Sequence, residues 1–370
     1  GHQPYFPDGF ESFFRMKDVS LGQTVRLKST GLEGYLRAVD DILAADADLV
    51  IIFTSSDMLS RDHRSPYWAM KVRMAEAGIP TQMVMVDRLR PGSPHHRELK
   101  NLIVNVASQM YAKLGGTPWV VHKPDSPVDL IIGVGKSEHQ TGRTGERERT
   151  LGFASAYKSN GAFLWFDSTQ ETASYDSLQN ELTDSIVSAA EQYSLREGSP
   201  EEVVIHSYKR IGPAERKAKQ QLEEMYDGIH IVLTHLNDSH NYRMYDDDHQ
   251  TGLPRPGLWT RTGDNKGFLL TAGRRRYRPG SSIPIELTIE SEGTTDEIIA
   301  TTEEVAKGVF DLCFVYWKDQ FGTTTPITIR YARDIAETLE NAQMISDEGL
   351  MNVNINQLVH PRLRRIPWFL

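Results

Sequence analysis

The sequence predicts an α/β fold in two successive domains, and two patterns carry this prediction. In residues 32–122, helical segments alternate with short, continuously apolar runs, which is the order of a doubly wound parallel sheet. From residue 129 onward, three strand-like runs follow one another before helices and strands alternate again. The pattern changes at the proline-containing stretch 123–127, so we place a boundary between a first domain, residues 1–125, and a second, residues 126–370.

In the first domain, the hydrophobic pattern predicts three helices and three strands. Leu32, Leu36 and Val39 recur at helical spacing and predict the first helix. Ser65 before Pro66 marks the start of the second helix. The predicted helices are 32–45, 65–78 and 96–116, and the predicted strands are 47–55, 79–86 and 118–122.

In the second domain, the first three strands are expected to be antiparallel, because a Lys-Ser-Asn-Gly turn at 158–161 joins the second of them to the third. Helix, strand, helix and strand then follow in turn. This order is that of an RNase H-like fold, an analogy of fold that does not by itself indicate an activity. The predicted strands are 129–135, 150–157, 161–168, 201–208, 229–236, 257–273 and 283–291, and the predicted helices are 176–194, 213–228, about 302–318 and about 328–343.

The composition indicates a soluble globular protein, with 39% hydrophobic and 25% charged residues and a formal net charge of −9. No apolar run approaches the roughly 18–20 residues of a membrane helix, so we expect no membrane partner. Cys313 is the only cysteine, which excludes an intrachain disulfide framework, and without a recognisable signal peptide the expected location is the cytoplasm. Net acidity does not exclude nucleic acid, because three stretches provide local positive charge, 142–150, 273–279 and 360–365.

One apparent phosphate-binding loop, Gly135-Lys136-Ser137, is incomplete. A nucleotide-binding loop of this type needs G-x-x-x-x-G-K-[ST], and its first glycine would stand at position 130, where the sequence has leucine. The residues between are apolar strand residues, and the segment that follows is polar and turn-rich instead of helical. The pattern therefore argues against an NTPase.

Polar side chains recur at helical spacing on two predicted helices of the first domain. Tyr67 and Lys71 share one helix face, and a stripe at i, i+4 and i+8 occupies another. If the two faces converge, their ammonium, phenol and carboxamide groups surround a terminal phosphate with charge-assisted donors. If they do not, they are the solvated faces of amphipathic helices. The stripe consists of Asn105, Gln109 and Lys113, and Gln82 lies at the start of the strand between the helices.

These residues carry a resemblance to a known family. The order Tyr-x-x-x-Lys, then Thr-Gln before an apolar strand, then a helix ending in Lys-Leu-Gly-Gly resembles the MID domain of Argonaute proteins. The downstream RNase H-like region resembles their PIWI domain, so the resemblance extends from about residue 30 to residue 370. It implies a Rossmann-like MID domain followed by a PIWI domain, with the 5′-phosphate of a guide strand held by Tyr67, Lys71, Gln82 and Lys113, and with Asn105 beside the first nucleotide.

Gln109 refines the resemblance, because eukaryotic Argonautes place a lysine at this position and some prokaryotic ones place glutamine. In the latter, a divalent ion lies between the guide phosphate, this amide oxygen and the C-terminal carboxylate. The chain ends in Trp-Phe-Leu, an apolar tail that is expected to be buried. We therefore expect Gln109 and the carboxylate of Leu370 to be ligands of a Mg²⁺ ion, which prefers oxygen donors.

Nucleases of this fold hold two metal ions with clustered carboxylates. At the three positions where the resemblance places them, this chain has residues that do not bind Mg²⁺, so we expect no cleavage by this chain. If the alignment is shifted by one residue, nearby acidic residues could take the metal-binding positions. An active RNase H-like, guide-dependent endonuclease is therefore the alternative. The three positions are Gly135, Tyr208 and Arg333, and the nearby acids are Asp129, Glu138 and Asp334.

A MID domain followed by a PIWI domain without catalytic acids resembles the short prokaryotic Argonautes. The resemblance implies a guide RNA or DNA with a 5′-phosphate, a complementary single-stranded target expected to be DNA, and an APAZ-containing effector partner with a TIR, Sir2 or nuclease domain, acting in prokaryotic defence. A two-domain protein that binds a sugar or a nucleotide, and shares only the topology, is the third hypothesis. The sequence does not distinguish RNA from DNA.

Overall fold

The chain divides into two compact units, one made of residues 1–118 with residues 337–370 and the other of residues 119–336. Sequence analysis assigned residues 337–370 to the second domain, whereas this segment returns to the first unit. Among the helices that the structure describes, none combines the length and apolarity that crossing a membrane requires. The computed structural model describes residues 6, 8–29, 31–55, 64–89, 99–122, 124, 126–140, 147–169, 174–248, 250, 252–272, 282–319, 322–354 and 358–370.

The first unit contains a pair of parallel strands flanked by helices. Strand β1 (Val50–Thr54) pairs with β2 (Thr81–Met85), and Ile52 of β1 is buried in a core with Met70 and Met74. The single helix predicted for residues 32–45 is instead two short helices that meet at Ala38. The helices are α1 (Gly9–Phe14), α2 (Leu32–Arg37), α3 (Val39–Leu43), α4 (Pro66–Glu76), α5 (Val86–Leu89) and α6 (Leu99–Lys113).

The strand predicted for residues 118–122 is wrong, because this segment belongs to neither sheet of the described chain. Trp119 anchors it in another way. Its indole Nε1 donates to the carbonyl oxygen of Phe314 at 2.9 Å, and its own carbonyl oxygen accepts from Nε1 of Trp317 at 2.9 Å. Both partners lie in the second unit, so these two hydrogen bonds make the segment the start of that unit.

The second unit is built on a mixed sheet of eight strands in the order β5-β4-β3-β6-β7-β10-β9-β8. β3, β6 and β7 are parallel, and the other neighbouring pairs are antiparallel. The carboxyl ends of these three strands therefore lie at one edge of the sheet, where ligands bind in α/β folds. The strands are β3 (Leu130–Gln140), β4 (Arg147–Lys158), β5 (Phe163–Ser168), β6 (Glu202–Ser207), β7 (His230–Asn237), β8 (Trp259–Gly263), β9 (Lys266–Leu269) and β10 (Ile285–Glu290).

The helices that follow the strands agree with the predicted order, with one shift. The helix predicted at about 302–318 spans Thr295–Asp311, because Thr294 and Glu297 form a capping box that begins it earlier. The Glu297 carboxylate accepts from the amide of Thr294 at 2.7 Å. The helices are α7 (Tyr175–Glu197), α8 (Pro213–Met225), α9 (Thr295–Asp311), α10 (Ile327–Asp347) and a 3₁₀ helix (Pro361–Arg365).

His206, at the end of β6, is buried in the second unit and hydrogen-bonds through Nδ1 to Oγ1 of Thr328 at 2.9 Å. Burial lowers the pKa of this imidazole to about 3. The folded protein therefore holds the neutral form, whereas the unfolded chain protonates it near its ordinary pKa of about 6.5.

We expect His206 to make the second unit less stable as pH falls from about 6.5 towards 3, because in this window the unfolded chain binds a proton that the folded protein does not. One such group removes up to about 1.4 kcal/mol of unfolding free energy per pH unit. Urea denaturation of the wild type and of His206→Asn at pH 7, 6, 5 and 4 measures this difference. Equal pH slopes in the two proteins would contradict the expectation.

Candidate nucleic-acid interface

Lys113, the last residue of α6, brings a buried ammonium group to the first residues of β2. Its Nζ donates to the carbonyl oxygen of Thr81 and to Oε1 of Gln82, both at 2.8 Å. The Gln82 amide is oriented for this contact because its Nε2 donates to the carbonyl oxygen of Met83 at 3.1 Å. The structure thus brings together Lys113 and Gln82, two of the predicted site residues.

Lys71 is buried on α4 beside two aromatic rings. Its Nζ donates to the hydroxyl of Tyr67 at 3.3 Å and to the carbonyl oxygen of Phe369 at 2.6 Å. The same ammonium group lies 5.5 Å from the ring centroid of Tyr67 and 5.9 Å from that of Trp68, within the range of a cation–π attraction. Sequence analysis paired Tyr67 with Lys71 but missed Trp68, because i to i+3 spacing of an aromatic residue and a lysine is common on ordinary helices.

The C-terminal tail is folded into the first unit, as its apolar sequence predicts. Residues 368–370 are buried, and Phe369 supplies the carbonyl oxygen that Lys71 binds. Upstream, the amide of His360 donates to the carbonyl oxygen of Ala75 at 3.4 Å. Lys71 and Ala75 are one turn apart on α4, so the tail runs along one face of this helix.

The predicted metal ligands, Gln109 and Leu370, also lie in the first unit. Gln109 precedes Lys113 by one turn on α6, and its Nε2 donates to the carbonyl oxygen of Asn105 at 3.1 Å. Leu370 directly follows the carbonyl group that Lys71 binds. Oδ1 of Asn105 is buried and has no hydrogen-bond partner in the described part of the chain, so it is an acceptor that a ligand can satisfy.

In the second unit, two of the three expected catalytic positions lie on neighbouring strands at the carboxyl edge of the sheet. A Cβ atom added to Gly135 would lie 2.2 Å from Cζ of the fully buried Phe153, so an acidic side chain there requires repacking. Tyr208, directly after β6, donates its hydroxyl to the carbonyl oxygen of Lys136 at 2.6 Å. Both positions are thus committed to packing or to backbone contacts.

The third position and the nearby acids have partners of their own. Arg333 donates Nη2 to Oδ1 of Asp238 at 2.7 Å. Asp129 accepts backbone amides at the opposite end of β3, from residues 201 and 202. Asp334 accepts from Tyr316 and Lys318, and the side chain of Glu138 lies outside the described residues. Within the described ranges, no three or more His, Cys, Asp or Glu side chains form a group that could hold a metal ion.

The basic stretches are only partly described. Residues 142–146 and 273–279 lie outside the described residues, and the side chains of 147–150 do as well. The stretch 360–365 contains the 3₁₀ helix, where exposed Arg362 contacts Oδ1 of Asp48 at 3.3 Å. Their predicted role in binding nucleic-acid backbones stays a prediction.

Comparison with known proteins places these observations in a family. The sequence model of the Piwi domain matches residues 58–343. The protein argonaute of Cereibacter sphaeroides is 25% identical over 366 residues, which cover 91% of this chain and 45% of that protein. The Piwi protein of Archaeoglobus fulgidus is 23% identical over 332 residues, which cover 82% of this chain and 71% of that protein. The chain therefore spans less than half the length of the first relative.

Solved structures show the same fold. The Clostridium butyricum Argonaute, bound to a guide DNA and a 19-mer target DNA, superimposes with a TM-score of 0.68 and 16% identity, over 86% of this chain and 41% of that one. The Aquifex aeolicus Argonaute with externally bound siRNA gives a TM-score of 0.63 and 19% identity, over 90% of this chain and 45% of that one. These likenesses confirm the predicted α/β fold with its PIWI-type domain.

Tail packing depends on Gly78, which ends α4 with φ of +77° and would place an added Cβ atom 2.6 Å from Nδ1 of His360. Gly349 is a matched control, because its φ is +67° and no atom lies within 4 Å of an added Cβ. Alanine at either position carries the left-handed strain of about 1–2 kcal/mol. Only Gly78→Ala also pushes against the tail.

We expect Gly78→Ala to destabilise the first unit by about 1–3 kcal/mol more than Gly349→Ala, since overpacking adds to the shared backbone strain. The excess should appear as faster amide hydrogen exchange in residues 358–370. Equal exchange of this segment in the two variants would show that His360 does not hold the tail.

Proposed function

The chain belongs to the Piwi domain family, and from this membership we propose that it binds a guide nucleic acid by its 5′-phosphate and, through base pairing of the guide, a complementary strand. The observation that carries the proposal is the pair of buried lysines, Lys71 and Lys113, on the two helices where the sequence predicts phosphate-binding residues. Reading of sequence is then delegated to base pairing, as in other guided systems.

The chemistry around the two lysines supports a phosphate ligand. Burying an ammonium group is costly unless it is hydrogen-bonded and its charge is compensated. The acceptors of the two ammonium groups include two backbone carbonyls, a carboxamide and a phenol. A phosphate adds charge-assisted hydrogen bonds, which are about twice as strong as neutral ones. The ring of Tyr67 supplies a surface on which the first base can stack.

We further propose that Mg²⁺ accompanies the phosphate, with Oε1 of Gln109 and the carboxylate of Leu370 as ligands. The donor set fits, because hard cations prefer amide and carboxylate oxygens. The Nε2 atom of Gln109 is committed to the Asn105 carbonyl, which leaves the oxygen as the other end of the amide. When bound, the ion would supply positive charge that offsets the negative charges of the phosphate and of the Leu370 carboxylate.

We propose that the chain does not itself cleave the target. Gly135 packs against Phe153, Tyr208 is bonded to the backbone of β3, and Arg333 is paired with Asp238. These contacts support the prediction that the positions of the nuclease carboxylates are filled by other chemistry. From the resemblance to short prokaryotic Argonautes alone, we propose that target pairing activates an APAZ-containing effector in prokaryotic defence.

We expect the wild type to bind a 5′-phosphorylated oligonucleotide at least tenfold more tightly than the same strand with a 5′-hydroxyl. The double variant Lys71→Met with Lys113→Met should lose this preference, because methionine approximates the unbranched apolar stem of lysine and removes the charge. Fluorescence anisotropy with DNA and RNA versions of the strand measures both affinities, and titration with EDTA tests the proposed ion.

Lys217→Met is the control, since Lys217 is exposed on α8 in the second unit and its Nζ donates to Oδ1 of Asn180 at 2.8 Å. Thermal unfolding of all variants verifies folding. A wild type that binds both 5′ ends equally would refute the proposed phosphate site.

The wild type loaded with guide should leave a complementary labelled strand intact in Mg²⁺ or Mn²⁺, because Gly135, Tyr208 and Arg333 provide no carboxylate for a metal pair. Denaturing gel electrophoresis over several hours measures the product. Guide-dependent product of defined length would favour the alternative, an active RNase H-like endonuclease.

A further inference from the structure

A cluster of cations surrounds a buried carboxylate on α10. Asp334 is 7% exposed, and its Oδ2 accepts from the hydroxyl of Tyr316 at 3.3 Å and from Nζ of Lys318 at 3.0 Å. Arg330 lies one turn before it, with Nε 3.7 Å from Oδ1. We call Lys318, Arg330 and Arg333, with Asp238 and Asp334, the α10 cluster.

The guanidinium of Arg330 is held in place from two sides. Its Nε donates to the hydroxyl of Tyr316 at 3.2 Å, and its Cζ lies 5.4 Å from the centroid of that ring. Burial, followed by the negative charge of Asp334, raises the pKa of Tyr316, so this phenol stays protonated and serves as a fixed donor to the carboxylate. The interior of the cluster is therefore rigid, and its outer side presents cations.

The arginines of the α10 cluster are more exposed to solvent than its carboxylates. The side chains of Arg330 and Arg333 are 43% and 40% exposed, whereas those of Asp334 and Asp238 are 8% and 26% exposed. Three cations face two carboxylates, so the cluster carries net positive charge and presents it to solvent. Guanidinium groups with a planar set of donors match phosphate oxygens.

The position of these arginines on their helix is unfavourable for stability alone. Arg330 and Arg333 lie in the first two turns of α10, whose first turn contains no acidic residue. The amino end of a helix carries partial positive charge, which disfavours cations and stabilises anions near the first turn. The helix end and the arginines together favour an anionic ligand.

The α10 cluster lies at the edge of the sheet where the parallel strands have their carboxyl ends. Arg333 binds Asp238, which directly follows β7. β7 is the parallel neighbour of β6, which Tyr208 follows, and β6 is the parallel neighbour of β3, which contains Gly135. Arg333 is also the third position at which the resemblance expected a metal-binding residue.

We propose that the α10 cluster binds a phosphodiester group of the paired target strand without hydrolysing it, with Arg330 and Arg333 providing the positive charge that metal ions provide in a nuclease. This inference rests on the proposed function and extends it. Arginine places two or more donors on the phosphate oxygens but activates no water, so the contact adds affinity and leaves the strand whole. Contacts to phosphate carry no sequence information.

The test uses protein loaded with a 5′-phosphorylated guide of about 20 nucleotides and measures the affinity for the complementary strand against salt concentration. We expect the double variant Arg330→Gln with Arg333→Gln to bind the target at least tenfold more weakly at about 150 mM salt. The slope of log K against log salt should become shallower by about 0.7–0.9 for each phosphate that the variant no longer neutralises. Replacement of both arginines by lysine should restore much of the slope, since charge is retained.

Arg216→Gln is the matched control, because Arg216 is an exposed arginine of the same unit that donates Nη2 to Oε1 of Glu290 at 2.7 Å. Binding of the guide itself should be unchanged in all variants. If the double variant and the control bind the target with the same affinity and the same salt slope, the inference is wrong, although the proposed function stands.

Failure of the proposed function gives a different result, since the wild type would then show no preference for a 5′-phosphate. In that case the same salt titration with an unguided single strand decides the inference. A loss of binding confined to the double variant supports a phosphodiester site at the α10 cluster. Equal binding by the double variant and the control overturns the inference.

Discussion

Two buried ammonium groups need hydrogen-bond acceptors, and this requirement determines how several segments of the first unit pack together. Lys113 satisfies its donors on the first two residues of β2, which fixes the end of α6 against that strand. Lys71 is satisfied in part by a carbonyl oxygen that comes from nearly the end of the chain. A buried cation without acceptors would cost several kcal/mol. The return of residues 337–370 to this unit therefore supplies Lys71 with one of its acceptors.

In the second unit, other contacts occupy the positions where the resemblance expects metal-binding carboxylates. Here an aromatic ring fills the space at Gly135, and a hydroxyl bonds the backbone of β3 at Tyr208. An aspartate at position 135 would therefore require Phe153 to repack, because the added Cβ atom would lie 2.2 Å from its ring.

Local patterns predicted much of the fold and part of the site. The strands from β3 to β7 were predictable because each contains an apolar run, and α4 was predictable because Ser65, Pro66 and Gly78 mark its ends. The segment 118–122 has the same apolar character but is held by tryptophan contacts distant in sequence. The start of α9 was missed because the capping box of Thr294 and Glu297 lies before the apolar repeat.

The site residues also divide into those that local sequence patterns predict and those that depend on contacts between distant parts of the chain. The spacing of Tyr67 and Lys71 predicts a shared helix face, but only the fold could reveal that a main-chain carbonyl reaches this lysine, since a carbonyl group has no signature in sequence. The arginines of α10 escaped notice for a related reason: Arg333 was considered only as the replacement of a metal ligand. In the fold, the buried Asp334 lies beside Arg330 and Asp238 pairs with Arg333. Carboxylates that orient exposed guanidinium groups in this way favour the binding of a phosphate.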